Sequence, residues 1–258
     1  MFLHLHSLEN SLIKHILPTD SIVFTEYPRC GGTFISALVL HSVFGACSVE
    51  QELITQSSFF DIVYDLDQVS SLKRILCSNI PKSKFYKTHK TMTGPYRFLI
   101  FYRKSIDAFR SYYAYLGLHK LSGKPEEKIK KFLESSNGIK SFIHFYSHYV
   151  NNQKNQISFL IKYEDMVFNP NKVLIALRKS FGLKPVDDLV LNSTINRYSL
   201  DSWINIETSW NNNFSVKYKR KNLRTHSDWN DLMAQDAIES SCYYRQLVEI
   251  EELISSGV

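Results

Sequence analysis

Several features that would place this chain of 258 residues in a particular class are scarce or missing. Its apolar runs are short and broken by charges, and its first 20 residues lack a basic segment followed by a long apolar core. Neither a transmembrane anchor nor a signal peptide is therefore predicted. The four cysteines form no CxxC or Cys/His cluster, so nothing indicates zinc, and free thiols suit a reducing compartment. These absences predict a soluble, cytoplasmic protein.

Charge is moderate as well, at 22% of residues, whereas hydrophobic residues make up 44% and aromatic residues 14%. This composition is typical of a folded core and not of a disordered chain. The net charge of +6 fits both an ordinary basic enzyme and a protein with a polyanionic ligand. The basic residues are spread out and not interleaved with stacking aromatics, so a nucleic-acid partner is not predicted.

Strand-like and helix-like segments alternate along the chain. The predicted strands are Ser21–Pro28, Lys84–His89, Arg97–Arg103 and Ile157–Asp165. The predicted helices are Thr33–Gly45, Ser105–His119, Lys172–Leu183 and Ala234–Ile254. This alternation favours a parallel sheet with helices on both faces. Because no linker rich in Pro, Gly or Ser divides the chain, we predict one α/β domain over residues 1–258, with 1–20 as an N-terminal extension.

A glycine loop joins the first predicted strand to the first predicted helix. Gly31 and Gly32 allow backbone N–H groups to converge on an anion, and the helix N-terminus favours negative charge. Arg29 adds a positive charge and Thr33 a hydroxyl donor. The loop lacks the Gly-Lys-Ser/Thr ending that ATP-binding P-loops use. Two glycines also fit a plain tight turn, so the loop is informative only together with other motifs.

The segment YPRCGGTF resembles the 5′-phosphosulfate loop of the cytosolic-type sulfotransferases, which use 3′-phosphoadenosine 5′-phosphosulfate (PAPS). That family's pattern is Tyr-Pro-Lys/Arg-Ser-Gly-Thr-Thr-Trp. Here Cys30 replaces Ser, Gly32 replaces the first Thr and removes a hydroxyl donor, and Phe34 replaces Trp while still offering an aromatic face to adenine. The resemblance implies donor contacts from Arg29, Cys30, Gly31, Gly32, Thr33 and Phe34.

Two further segments resemble the same family. In FYRKSIDAFRS, Arg103 at a strand end and Ser111 eight residues later match the pair that binds the donor's 3′-phosphate. In KTH, Lys87 and His89 match the residues that stabilise the leaving oxygen and act as general base on the acceptor hydroxyl. An imidazole suits proton transfer because its ordinary pKa lies near neutral pH. The resemblance also assigns Arg29 to the catalytic cations.

The last two matches lie in the second half of the chain. In IKYEDMVFNP, Tyr163 would lie against the adenine. KRKNLRTHSDW resembles the family's late loop over the 3′-phosphate, in which Asp228 and Trp229 fit well. Arg220 and Lys221 are the preferred phosphate ligands, and Arg224 is the alternative.

Taken together, the resemblance implies a P-loop NTPase-like sulfotransferase fold and a PAPS-dependent enzyme that releases 3′,5′-ADP (PAP) without a metal. The acceptor would be a small-molecule hydroxyl compound, namely a phenol, alcohol, lipid or saccharide, and a homodimer stays open. A P-loop kinase and a non-catalytic nucleotide-binding protein of the same fold are the alternatives. A metal site at His144 and His148 and a redox or nucleophilic role for Cys30 are weaker hypotheses.

Overall fold

A computed structural model of the chain describes residues 17–45, 62–67, 84–152, 158–198 and 228–256. The strands are β1 (Ile22–Glu26), β2 (Val63–Asp65), β3 (Phe85–Thr88), β4 (Arg97–Tyr102) and β5 (Ser158–Lys162). The helices are α1 (Gly32–Ser42), α2 (Ser105–Tyr115), α3 (Pro125–Glu134), α4 (Ile139–Asn152), α5 (Tyr163–Phe168), α6 (Pro170–Ser180), α7 (Asp188–Arg197), α8 (Asp231–Glu239) and α9 (Tyr244–Ser255). A short 3₁₀ helix covers Leu118–Lys120.

The strands form one parallel sheet in the order β2-β3-β1-β4-β5. Strand β1 lies in the middle, where Ile22 pairs with Phe85 of β3 on one side and Arg97 of β4 on the other. From β1 the chain runs to β2 at one edge of the sheet, returns to β3 beside β1, and then crosses to β4 and β5 on the other side. In sheets of this kind, ligands bind beside the carboxyl ends of the strands, near the point of reversal. The predicted α/β fold with a parallel sheet is confirmed.

Neighbouring residues of the strands enter two separate hydrophobic cores, because side chains alternate between the faces of a sheet. Val23 and Phe98 pack in an aromatic-rich core with α2, α3, α4, α8 and α9. Phe24 and Leu99 pack in the other core with α1 and α5 to α7. Helix α1 is buried along almost its whole length, which fixes the position of the loop that precedes it.

Several predicted boundaries are wrong. The strand predicted to end at Asp165 ends at Lys162, and Tyr163 starts α5. Helix α6 starts at Pro170 and not at the predicted Lys172, because a proline at the first helical position has no N–H to lose. The predicted last helix is two helices, α8 and α9, and between them the Tyr243 N–H donates to Ser241 Oγ at 3.2 Å. A serine that binds nearby backbone in this way competes with the helix.

Some predictions concern residues outside the described ranges. These are residues 1–16 of the N-terminal extension and the candidate phosphate ligands Arg220, Lys221 and Arg224. In the part of the chain that is described, no helix has both the length and the apolar character needed to cross a membrane.

Candidate active site

Polar and aromatic side chains gather at the carboxyl edge of the sheet. Across the sheet, β2, β3, β1, β4 and β5 are followed by Asp67, His89, the glycine loop, Arg103 and Tyr163. The parallel sheet therefore brings together residues that are as much as 136 positions apart in the chain, from Tyr27 to Tyr163. The sequence-predicted residues His89, Arg103 and Tyr163 share one edge with the loop, as a donor site requires.

The glycine loop has an unusual backbone. Gly31 has φ 89° and Arg29 has φ 75°, both in the left-handed region. A Cβ atom on Gly31 would overlap the ring of Tyr163, so this position needs glycine for its conformation and for space. Arg29 pays a conformational cost that glycine would avoid, and such outliers concentrate at functional sites. The loop is therefore held in a specific shape by β1, α1 and Tyr163.

Gly32 lies against the carboxylate of Glu26, the last residue of β1. The Gly32 N–H donates to Glu26 Oε2 at 2.6 Å, and a Cβ atom on Gly32 would overlap the same carboxylate. The absence of the usual threonine at this position thus has a steric cause. The Glu26 carboxylate thus fills the space in which the family pattern has a threonine side chain.

Lys87 makes the Glu26 carboxylate tolerable in a buried position. Lys87 Nζ lies 3.0 Å from Glu26 Oε1 and donates to Thr33 Oγ1 at 3.4 Å. Both charged side chains are almost completely buried, and a buried charge needs a partner of this kind. Burial alone would raise the pKa of Glu26, but the charge of Lys87 and the hydrogen bond from His89 outweigh it and hold that pKa well below its usual range.

His89 is held between two carboxylates. Its Nδ1 lies 2.9 Å from Asp67 Oδ2, its backbone N–H donates to the same oxygen at 2.6 Å, and its Nε2 lies 3.4 Å from Glu26 Oε1. Because an ionised carboxylate only accepts hydrogen bonds, this arrangement favours the imidazolium with protons on both nitrogens. Burial would lower the pKa of His89, but the hydrogen bonds to Asp67 and Glu26 outweigh it and raise the pKa to about 9.

Asp67 is fixed in turn by Thr88, whose Oγ1 donates to Asp67 Oδ1 at 2.9 Å. Burial works against its ionisation, yet the hydrogen bonds from His89 and Thr88 lower the pKa of Asp67. The His89 side chain remains 34% exposed, so an acceptor can approach the ring from solvent. A carboxylate on Nδ1 is the arrangement that orients a general base, although here Nε2 also lies against the Glu26 carboxylate.

Arg103 defines the other end of the site. Its guanidinium lies 4.6 Å above the centre of the Tyr163 ring, and its Nη1 donates to the Arg29 carbonyl oxygen at 3.5 Å. Its Nε is buried and, within the described ranges, has no hydrogen-bond partner. Buried donors are normally satisfied, so this N–H fits an external anion at the site.

Arg29 links the loop to helix α2. Its Nε donates to Ser111 Oγ at 3.3 Å, and its guanidinium lies 5.1 Å from the centre of the Tyr115 ring. Arg29 thus contacts Ser111 through its side chain and Arg103 through its carbonyl oxygen, while a phosphate site shared by Arg103 and Ser111 remains a prediction. The further role of Arg29 as a catalytic cation remains a prediction.

The Cys30 side chain points into the core. Its Sγ lies 3.2 Å from Tyr146 Oη, which itself donates to the Phe101 carbonyl at 2.8 Å. Complete burial raises the pKa of the thiol, so the reactive thiolate that a redox or nucleophilic role requires is disfavoured. That hypothesis is therefore not supported, and the buried side chain leaves the backbone of Cys30 for any donor contact.

The aromatic residues near the loop pack on one another. The rings of Phe34 and Tyr163 meet edge to face with their centres 6.4 Å apart. Phe142, Tyr146 and Tyr149, from a stretch that matched no family motif, are buried in the aromatic-rich core. These three rings are therefore part of the core, while adenine binding at Phe34 and Tyr163 stays a prediction.

Asp228 and Trp229 fix the end of the late loop beside α2. Tyr113 Oη donates to Asp228 Oδ1 at 2.8 Å, and Lys128 forms an ion pair with the same carboxylate. The Trp229 ring lies 5.4 Å from that of Tyr113. The chain thus enters α8 next to the helix that carries Ser111.

A metal site finds no support. Within the ranges that the structure covers, no group of three or more His, Cys, Asp or Glu side chains is placed to hold an ion. His148 Nε2 lies 3.0 Å from the Met92 carbonyl oxygen, so this ring binds backbone. The hypothesis of a site at His144 and His148 is therefore not supported.

Two residues of the site escaped sequence reasoning. Glu26 is a single acid at the end of an apolar strand, and its position directly before the loop motif was the available signal. Asp67 follows the short apolar run of β2, in a stretch without a recognisable motif. Only the strand order shows that Asp67 lies beside His89.

Comparison with protein families identifies the chain: it belongs to the sulfotransferase family, whose domain model matches residues 18–246. Among curated protein sequences no match is found. A mouse sulfotransferase, SULT7A1, complexed with PAP is similar in structure at a TM-score of 0.60 and 14% identity, with 93% of each chain covered.

Two structures of retinol dehydratase are similar as well. One, in complex with androsterone and inactive cofactor PAP, has a TM-score of 0.55 at 12% identity and covers 96% of this chain and 83% of that one. The other, in a complex with retinol and PAP, has a TM-score of 0.57 at 13% identity, over 90% and 83%. At such identities these likenesses show the sulfotransferase fold.

Proposed function

We propose that the protein transfers a sulfuryl group from PAPS to the hydroxyl of a small-molecule acceptor, with His89 as general base. The observation that carries the proposal is the single edge on which the loop, the buried Arg103 Nε and the His89–Asp67 pair meet. Membership of the sulfotransferase family and structural neighbours crystallised with PAP support it.

The residues present fit the donor. Arg103, with its unsatisfied buried N–H, and Ser111 would bind the 3′-phosphate, and the backbone of Gly31 to Thr33 at the start of α1 would bind the 5′-phosphosulfate. PAPS supplies the sulfuryl group and leaves as 3′,5′-ADP. Because Arg103 and the loop are already in contact through the Arg29 carbonyl, the two anion sites are held at a fixed separation.

His89 works as a base only in its neutral form. When Nε2 is free of its proton, Asp67 keeps the remaining proton on Nδ1 and so fixes the tautomer in which Nε2 accepts the acceptor's hydroxyl proton. The acceptor oxygen then forms its bond to sulfur while the bond between sulfur and the bridging phosphate oxygen breaks, and the electron pair of that bond leaves with 3′,5′-ADP. Lys87, buried beside Thr33 of the loop, offers a positive charge close to the oxygen that leaves.

Acceptor chemistry is the open part of the proposal. The retinol dehydratase structures contain retinol or androsterone, which are lipophilic alcohols. The partly exposed His89 ring sets where an acceptor hydroxyl has to arrive. We take a small lipophilic or phenolic alcohol as the first acceptor class to test, followed by saccharides.

Calorimetry with purified protein tests the proposal. We expect 3′,5′-ADP to bind without magnesium and more tightly than ATP with magnesium, and we expect labelled sulfate to pass from PAPS to at least one member of an acceptor panel. Preference for ATP with magnesium would support a kinase instead. Tight binding of 3′,5′-ADP without transfer to any acceptor would support a non-catalytic nucleotide-binding protein.

A further inference from the structure

The carboxylate of Glu26 contacts the same groups that would bind the donor. It accepts the Gly32 N–H at 2.6 Å, lies 3.0 Å from Lys87 Nζ and 3.4 Å from His89 Nε2. These three groups are a loop amide, the cation for the leaving oxygen and the base of the proposed reaction. Each of them would have to face either the phosphosulfate or the acceptor during transfer.

The surrounding residues hold the Glu26 side chain in a defined position. The side chain is buried at the end of the central strand, and Gly32 provides the space because any larger residue would overlap the carboxylate. Lys87 is buried with it. The carboxylate thus has three polar partners, and the glycine leaves the space that it fills.

Building on the proposed function, we propose that Glu26 is a resident anion of the donor cradle, which the 5′-phosphosulfate of PAPS must displace from the Gly32 amide and from Lys87. In the free protein the carboxylate satisfies the loop amide and neutralises the buried ammonium. On donor binding, the donor's own anion takes over these contacts. The carboxylate therefore lowers donor affinity and at the same time keeps the empty cradle stable.

This assignment explains the departure of the loop from the family pattern. A threonine at position 32 would need the space that the carboxylate fills. The absence of the threonine hydroxyl and the presence of the Glu26 carboxylate therefore go together in this chain. This pairing makes nucleotide affinity depend on how readily Glu26 moves away.

The first test asks whether the carboxylate lies in the cradle in solution. Gly32→Ala should lower the melting temperature in the wild-type background, and it should lower it much less in the Glu26→Ala background, where the overlapping group is gone. Such non-additivity is the mark of two residues in contact. Equal losses in both backgrounds would overturn the proposal.

The second test measures affinity for 3′,5′-ADP and for inorganic sulfate by calorimetry. Glu26→Gln keeps the size of the side chain and an acceptor for Gly32 but removes the charge, so both anions should bind on the order of tenfold more tightly. Glu164→Gln is the matched control, because Glu164 is a half-buried carboxylate that accepts the Lys104 N–H near Arg103. It removes the same charge and should change affinity by less than about twofold.

The outcomes separate the two proposals. Unchanged or weaker binding of both anions to Glu26→Gln would show that Glu26 does not compete with them. Tighter sulfate binding without any binding of 3′,5′-ADP, to wild type or variant, would uphold the resident anion and contradict PAPS as donor. Tighter binding of both supports both proposals.

Discussion

At the β2–β3 end of the site, Lys87 and His89 lie against the carboxylates of Glu26 and Asp67, whereas at the β4–β5 end Arg103 lies against a carbonyl oxygen and the Tyr163 ring. The first end satisfies its charges internally before any ligand arrives. The second presents a cation with a buried N–H that no described residue satisfies. Under the proposed function, the first end carries out the chemistry and the second captures an anion of the donor.

The comparison explains why the two ends should respond differently to the same kind of substitution. Removing a cation from the β2–β3 end leaves a buried carboxylate without its partner, which costs stability. Removing Arg103 leaves no such carboxylate among its described contacts, so the loss should appear in nucleotide binding. The four predictions below use this contrast, from the largest expected effect to the smallest.

His89→Ala should reduce transfer by about 10²- to 10⁴-fold while leaving the affinity for 3′,5′-ADP close to that of wild type, because it removes the base and not an anion ligand. Transfer is measured with labelled PAPS, and affinity by calorimetry. His144→Ala, an exposed histidine on α4, is the control and should be active. If nucleotide affinity fell by as much as transfer, His89 would be a nucleotide ligand and not the base.

Lys87→Met should lower the free energy of unfolding by about 3–5 kcal/mol, since it deprives the buried Glu26 carboxylate of its nearest cation and leaves only His89 at 3.4 Å. Arg103→Met should cost only about 1 kcal/mol, the scale of a lost cation–π contact. Both are measured by urea unfolding at neutral pH. Equal losses would remove the contrast between the two ends of the site.

Arg103→Met should weaken 3′,5′-ADP binding by about 10- to 100-fold, which corresponds to hydrogen bonds to a charged group. Arg110→Met is the matched control, because Arg110 is a surface arginine on the same helix as Ser111 and pairs with Asp107 and Asp231. Its variant should bind normally. An Arg103 variant with wild-type affinity would place the 3′-phosphate elsewhere.

The pH dependence of transfer should follow His89. The pKa of His89 is raised to about 9, and transfer requires its base form. We therefore expect kcat/KM to rise with pH and to level off above a pH of about 9. In Asp67→Asn the inflection should move down by about one unit or more, since a nearby negative charge is lost. A profile that is flat between pH 6 and 9 would argue against His89 as base.

The same titration contributes to stability with a definite sign. A pKa raised from its ordinary value of 6.5 to about 9 stabilises the folded state fully below 6.5, and this contribution is lost as the pH rises through about 9. The pKa values of Glu26 and Asp67 are lowered, so these two carboxylates stabilise the folded state at neutral pH. Their contribution to stability is lost as the pH falls. Activity should therefore rise over a range in which the contribution of His89 to stability falls.

Sequence reasoning found the parts of the site that lie in local motifs. The loop from Arg29 to Phe34, the KTH tripeptide and the Arg103–Ser111 pair each occupy one short segment next to a strong strand pattern. Four of the strands were predicted for the same reason, because β-branched and aromatic runs are clear signals. The parallel sheet followed from the alternation of strands with helices.

The rest depends on contacts between distant segments. Asp67 lies beside His89 only because β2 pairs with β3, and β2 has just 3 residues, too few for a periodic signal. From the sequence, Glu26 is only the last residue of a strand. Its role in the site follows from the contact between its carboxylate and the Gly32 N–H. Helices α3, α4 and α7 lie in stretches without a recognised motif and were not predicted with boundaries, because their packing against the cores decides where they end.

A crystal structure of the complex with 3′,5′-ADP tests the account most directly. We predict the 3′-phosphate on Arg103 Nε and Ser111, the 5′-phosphate over the amides of Gly31 to Thr33, and the Glu26 carboxylate moved away from Gly32. A nucleotide bound away from this edge, or with its 3′-phosphate in the loop, would contradict the assignment of the two ends.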